Sequence, residues 1–350
     1  MGYLVSLIVL SILVFFHELG HYIAAKIVGV YVDVFSIGFG KRLVTFKKFN
    51  TQWSISAIPL GGYVKMKGQD DTDPTKKSYD SDSYTTKTPL QKIFILTAGP
   101  FANFLLAFVL YFAIALGGPN VLSAVIGNVI KDSPAQKAGL QHNDIIKSIN
   151  NAKITSWNDM AEAISKSKGA LNITIQRGSY LQQLILTPEL KESTNIYGEK
   201  IKRKMIGISA SGEMHRMEMD TVDAIKYAYN QTVFASTLIF KGLQKLIVGD
   251  VPATQMGGVI SIVKLTSDAT EAGWISLFFF TALISVNLGV LNLLPIPALD
   301  GGHIMFNLYE LLLRREINEA IQIKLTIAGW VILISLMGLG LFNDINRLIG

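Results

Sequence analysis

The sequence predicts a polytopic α-helical membrane protein with four transmembrane helices and one inserted water-soluble domain. Three observations carry this. Half of the 350 residues are hydrophobic and only 17% are charged, against about 25% in soluble domains, and the mean hydropathy is +0.37. Four stretches, residues 3–25, 93–116, 274–294 and 323–342, reach the ~20 mostly apolar residues that a spanning helix needs. Between the second and third lies a stretch of ordinary soluble composition, from Val121 to about Gly212.

The first stretch begins Met1-Gly2-Tyr3-Leu4-Val5-Ser6 and carries no cation before Lys26. A signal peptide has a basic n-region, so this is expected to be a retained span. After it, Lys41, Arg42, Lys47, Lys48, Lys65, Lys67, Lys76, Lys77, Lys87 and Lys92 crowd one loop. The positive-inside rule assigns that loop to the cytoplasm. The first helix then runs inward and the second outward. The soluble stretch lies outside, the third span returns to Arg314 and Arg315, and both termini are outside. The net charge of +6 is explained by these flanking cations, so no nucleic-acid partner is expected. The partners implied are the lipid bilayer and whatever the protein acts on within it.

Residues 221–249 are apolar enough to raise a fifth span. Their apolar positions (Ile225, Ala228, Tyr229, Val233, Ile239, Phe240, Leu243, Ile247) follow helical spacing, and Lys226, Asn230, Gln231, Lys241, Gln244 and Lys245 take the other face. That pattern predicts an amphipathic helix on a surface. A fifth span would also move Arg314 and Arg315 outside.

The soluble stretch reads as β-rich. Ser133-Pro134-Ala135 and Ala138-Gly139-Leu140 form a turn that enters a short strand at Ile145. A helix is expected over 157–165 with Ser156 as its N-cap, and further strands over 172–176 and 184–186. The pattern resembles a PDZ domain, a fold that binds extended peptides by adding a strand to a sheet edge. A spacer without a ligand is the alternative. Residues 189–204 read as a linker or surface hairpin. The expected organisation is therefore a first helix over 1–25, a cytoplasmic-side region over 26–92, and a second helix over 93–116. A PDZ-like domain over 121–188 and a linker with the amphipathic helix over 189–273 follow. A third helix with its proline motif over 274–303 and a fourth helix over 323–342 complete the chain.

The chemistry sits in the first span, as His17-Glu18-Leu19-Gly20-His21. Residues four apart share a helix face, so both imidazoles reach one ion, with Glu18 beside them to take a proton from water. This is the H-E-x-x-H arrangement of zinc proteases. Its setting between Val14-Phe15-Phe16 and Tyr22-Ile23-Ala24-Ala25 sharpens it, because ionisable groups inside a span are costly and need a function or a partner. There is no cysteine, so a metal must be held by His, Asp or Glu. A catalytic zinc takes three protein ligands and leaves one position open. The third candidate is Asp300, in Asn292-Leu293-Leu294-Pro295-Ile296-Pro297-Ala298-Leu299-Asp300-Gly301-Gly302. The prolines break the helix there, and broken backbone at membrane depth must line a cavity or be covered by protein. His17, His21 and Asp300 all fall toward the inner ends of inward-running spans. His303, one turn on, ranks second, Glu310 is expected to be solvated, and His142 and His215 lie in soluble segments.

Together these motifs resemble the site-2 proteases, especially the bacterial regulator-of-sigma-E protease type. Ala98-Gly99-Pro100-Phe101-Ala102-Asn103-Phe104 and Leu341-Phe342-Asn343-Asp344 also look like that family, and the resemblance covers essentially the whole chain. It implies Zn2+ on His17, His21 and Asp300, Glu18 as general base, and Asn292 on the substrate backbone. It also implies that Gly38-Phe39-Gly40 and Ile58-Pro59-Leu60-Gly61-Gly62-Tyr63-Val64 form a β-structured loop dipping into the membrane. The edge of that loop, with Gly61, Gly62 and Tyr63, would pair with an unfolded substrate. Read from the residues alone, this is a Gly-punctuated apolar hairpin, which fits a re-entrant element. The implied substrates are single-span membrane proteins such as anti-sigma factors, and leftover signal peptides, in a bacterial inner membrane. Many relatives carry two PDZ domains and this chain has room for one, which puts a gating role of a pair in doubt. The rival readings are a non-catalytic membrane adaptor working through the PDZ-like domain and an ion-coupled transporter. Glu18 argues against the first, and the lack of an internal repeat against the second.

Overall fold

The computed structural model describes residues 2–69, 78–195 and 199–349. Lys76 and Lys77, counted above in the basic loop, lie outside the described residues. Helix α1 (Gly2–Val28) leads into two long strands, β1 (Val32–Lys48) and β2 (Thr51–Met66), and then α2 (Pro89–Gly117). Short elements follow: β3 (Asn120–Leu122), β4 (Ile126–Val129), α3 (Pro134–Lys137), β5 (Ile145–Ile149), β6 (Ala152–Lys153) and α4 (Trp157–Lys166). The strands β7 (Leu171–Arg177), β8 (Tyr180–Leu186), β9 (Glu189–Thr194), β10 (Lys200–Met205), β11 (Ile208–Ala210) and β12 (Met214–Arg216) come next. The chain closes with helices α5 (Thr221–Val248), α6 (Val259–Glu271), α7 (Trp274–Asn292), α8 (Asp300–Leu313) and α9 (Glu319–Ile349).

Two compact units result, one of residues 1–114 and 223–350, the other of residues 115–222. In the first, four helices among the described residues are long and apolar enough to cross a membrane: α1, α2, α7 and α9. The strands β1 and β2 bend so that four segments form one sheet. Residues 34–37 have 62–65 on one side and 52–55 on the other, and 42–48 border 51–56. Residues 62–66 are thus an outer edge. The base of this sheet is fastened by Val32, Phe35 and Met66, which are buried with Tyr22 and Ala25 of α1 and Ile95 of α2.

Helix α5 is present, and only part of the apolar stripe expected from the sequence is covered: Ala228 is buried and Ile239 packs against the same core. Ala224, Ala228 and Ala235 are buried, and the last two pack with Ala107 and Tyr111 of α2 and Val286 of α7. Ile225, Tyr229, Val233, Phe240 and Ile247 are exposed. Small side chains let helix backbones approach closely, and that close fit decides the contact face. Helix α6 was not anticipated. Ser6 Oγ of α1 donates to Val263 O at 3.1 Å. The N-terminal end of α6 is capped from another helix: Asp344 of α9 accepts from Gly258 N and Ser261 N, each at 3.0 Å, and from Ser261 Oγ. Asn343 Nδ2 donates to Ala253 O and Met256 O. The Leu341-Phe342-Asn343-Asp344 motif therefore closes the α5–α6 connection.

The second unit holds a four-stranded sheet in the order β6-β5-β7-β8. Ile146, Ile149, Ile173 and Ile175 from it share a core with Met160 and Ile164 of α4. Ser156 caps α4, as expected, and does so through a capping box with Asp159 that the sequence reading did not give. The Asp144 carboxylate, wholly buried, accepts from Arg177 Nε and Nη2 at 2.7 Å each and from Gln141 N at 2.8 Å. Those bonds push the Arg177 guanidinium above its ordinary pKa. The unit does not stop at Pro188, where the sequence reading ended it. The strands β9 and β10 form an antiparallel hairpin, and β11 and β12 return to pair with β4 and β3. The hairpin is one of the two readings the sequence offered for residues 189–204, whereas the return strands β11 and β12, three residues each, are too short to show an alternating pattern and were read as linker.

Candidate metal centre

Helix α1 presents His17 and His21 one turn apart, and α8 begins at Asp300. Their ligand atoms form a near-equilateral triangle. His17 Nε2 is 3.2 Å from His21 Nε2, and Asp300 Oδ2 is 3.3 Å from the first and 3.4 Å from the second. Direct charge-assisted bonds run at about 2.7–2.9 Å, so these separations are long for simple pairing. They match the edge of a tetrahedron around an ion ~2.0–2.1 Å from each donor, which is roughly 3.3 Å. Among the described residues, Asp300 Oδ2 has no partner at hydrogen-bond geometry and is buried, an orphan that an ion would satisfy. Among the described residues, His17, His21 and Asp300 are the group able to hold a metal. Two imidazole nitrogens and one carboxylate oxygen suit a zinc site with an open position.

The surroundings orient the ligands. His21 Nδ1 lies 2.9 Å from Ile95 O, which fixes the proton on Nδ1 and leaves Nε2 for the metal. Gly99 makes room for this ring: a Cβ there would fall 2.1 Å from His21 Nε2. The third ligand is seated by the two glycines after it. A Cβ at Gly301 would fall 2.2 Å from Leu294 O, and one at Gly302 would fall 2.3 Å from Ile296 O. Only glycines let the first turn of α8 rest on the backbone of Leu293, Leu294, Ile296 and Pro297.

The other predicted residues fall as follows. Glu18 is half-buried, and Gly62 lies on it, a Cβ there being 3.0 Å from Glu18 Cγ. Gly62 and Tyr63 belong to the outer strand segment and Gly61 precedes it in β2; Tyr63 stacks on Phe39 and its hydroxyl accepts from Arg42 Nη2. Asn292 is the last residue of α7. His303 is not in the metal-holding group, and its ring lies edge-on to Phe306. Glu310 is not simply solvated as expected, but pairs with Lys92 at 3.5 Å. Two residues near the ligands had no role in the sequence reading. Asn103, fully buried, places Nδ2 3.2 Å from His17 Nδ1. Ser285, fully buried on α7, donates to Asn103 O at 2.7 Å. Polar residues at membrane depth were the available signal for both.

Two imidazoles and a carboxylate converge beside apolar helices, with Glu18 next to His17, and form a candidate metal centre. The chain matches the family described as Peptidase family M50 over residues 5–336, and it belongs to that family. A Campylobacter jejuni relative is 45% identical over 348 residues, covering 99% of this chain and 94% of its own. One from Helicobacter pylori is 41% identical, covering 99% and 100%. Both are named "Putative zinc metalloprotease". This protein is accordingly a zinc metalloprotease of the site-2 type. Among solved structures, the PDZ domain of a Listeria monocytogenes SdrC-like protein is 21% identical over 25% of this chain and 86% of that one, with a TM-score of 0.19.

Proposed function

We propose that the protein is an intramembrane endopeptidase that cuts the spanning segments of single-span membrane proteins, including anti-sigma-factor-like proteins and remnant signal peptides. The observation that carries this is the ligand triangle of His17, His21 and Asp300, which lies on or beside two apolar helices rather than in a water-soluble domain. Held there by His17, His21 and Asp300, zinc would supply Lewis acidity toward the attacking water and the scissile carbonyl. Glu18 takes the proton from that water and returns one to the leaving amine.

A spanning helix hides its amides in hydrogen bonds, so a substrate must unwind before it is cut. Among the described residues the outer strand segment at 62–66 borders one neighbouring strand, and Gly62 lies against Glu18. That geometry supports a loop that enters the membrane and holds the substrate extended by strand addition beside the base. Asn292, at the broken end of α7, is suited to hold a substrate peptide group. The cation-rich segment 41–92 argues for a site toward the cytoplasmic side of a bacterial inner membrane, with both termini outside. The unit of residues 115–222 is then extracytoplasmic, and its part is selection of substrates by a PDZ-like fold, not chemistry. The test is co-expression of tagged single-span proteins with the native chain and with Glu18→Gln. The reading requires a fragment cut within the apolar segment, made by the native chain alone. Cleavage confined to water-exposed loops would refute it.

A further inference from the structure

The two histidines are held differently, and the difference points to Asn103. Neutral imidazole has one N–H and one lone pair. When both Nε2 lone pairs face an ion, both Nδ1 atoms must carry the proton and need acceptors. His21 Nδ1 has one, the carbonyl of Ile95. His17 Nδ1 faces the amide nitrogen of Asn103 at 3.2 Å, a donor, while Asn103 Oδ1 is buried with no partner. A half-turn of the amide exchanges oxygen for nitrogen in almost the same volume. Its backbone stays anchored meanwhile, because Ser285 Oγ donates to Asn103 O from α7, the helix that leads to Asp300.

We propose that Asn103 is a positioning residue of the metal centre. With zinc bound its Oδ1 accepts from His17 Nδ1–H, and without metal its Nδ2 donates to the bare Nδ1. The amide, able to do either, matches the histidine in both states, and the bond to Ser285 ties that match to the helix preceding the third ligand. This rests on the zinc reading of His17, His21 and Asp300. The consequence is a division among substitutions that shape alone would not produce. Leucine has the size of asparagine but offers no acceptor. Aspartate offers only acceptors, so it suits the metal-bound state and lacks the donor of the metal-free one.

The test is zinc affinity of the purified full-length protein in detergent, by competition with a chelator of known affinity. Loss of such an outer partner costs about 10–100-fold in metal affinity, and Asn103→Leu is expected to fall in that range. Asn103→Asp is expected to stay within a few-fold of native. Thermal unfolding of the metal-free forms is read alongside, so that a folding defect is seen directly. Native-like affinity in a folded Asn103→Leu would overturn the proposal, and so would a loss in Asn103→Asp as large as 100-fold, which stands as a test even if the leucine variant does not fold. A native chain that takes up no zinc overturns the metal reading itself, and it is told apart because it shows before any variant is compared.

Discussion

Gly99→Ala sets two physical effects against each other. Glycine inside a helix costs about 1 kcal/mol relative to alanine, so propensity alone predicts a more stable protein. The added Cβ, however, would lie 2.1 Å from His21 Nε2, 2.5 Å from its Cε1 and 2.7 Å from its Cδ2. Ordinary contact begins near 3.4 Å, so the ring must withdraw by 3.4 less 2.1, about 1.3 Å. That movement breaks the 2.9 Å bond to Ile95 O or takes Nε2 out of the ligand triangle. Overpacking of this kind costs about 1–3 kcal/mol, which outweighs the propensity gain. A misplacement of about 1 Å costs roughly 10²-fold in rate. The variant is therefore expected to fold, to bind zinc at least ten-fold more weakly, and to cleave about 100-fold more slowly. Chelator competition and a cleavage assay on one preparation measure both. Zinc affinity and cleavage equal to native, with raised thermal stability, would show that the ring does not sit against Gly99 and would refute the packing argument.

Further outcomes follow from the same geometry. Glu18→Gln keeps the shape but cannot accept a proton, and cleavage is expected to fall about 10²–10⁴-fold with zinc content unchanged. Near-native proteolysis would remove Glu18 from its role. Asp300→Ala should lose metal and activity together while His303→Ala keeps the metal, and the reverse pattern in metal analysis would transfer the ligand. Single cysteines can be probed with an impermeant thiol reagent without interference, because the chain has none of its own. Asn195→Cys and Asp268→Cys should label from outside intact cells and Lys76→Cys and Arg315→Cys should not. Outside labelling of Arg315→Cys would restore a fifth span at α5. Arg177→Ala strands the buried Asp144 carboxylate, a loss of about 3–5 kcal/mol, and should make the 115–222 unit sensitive to proteolysis. Unchanged protease resistance would contradict that pairing.

The spans and the metal-ligand candidates were legible because each leaves a mark on local sequence. Apolar runs of about 20 residues set α1, α2, α7 and α9 apart, and histidines four residues apart on one of them mark a shared face. Asp300 was found by its prolines and its depth. What stayed hidden depends on contacts distant in sequence. Asp344 caps α6 across 86 residues, while the N-cap Gly258 itself supplies no side-chain bond, so α6 had no local start signal. The large residues Ile225, Tyr229 and Val233 of the α5 stripe draw attention by their hydrophobicity, yet the helix packs through Ala228 of that stripe and through Ala224 and Ala235, whose advantage is their small size. Asn103 stood inside a quoted motif, but its partner His17 is 86 residues away, and no spacing rule joins them.

X-ray absorption at the zinc edge on the purified native chain tests the central claim most directly. With no cysteine in the sequence, no thiolate can enter the first shell. The account predicts one zinc per chain, bound by nitrogen and oxygen at about 2.0–2.1 Å with the outer-shell signature of two imidazoles, and loss of that spectrum in His17→Ala. A native chain without zinc, or a spectrum unchanged by His17→Ala, would contradict it.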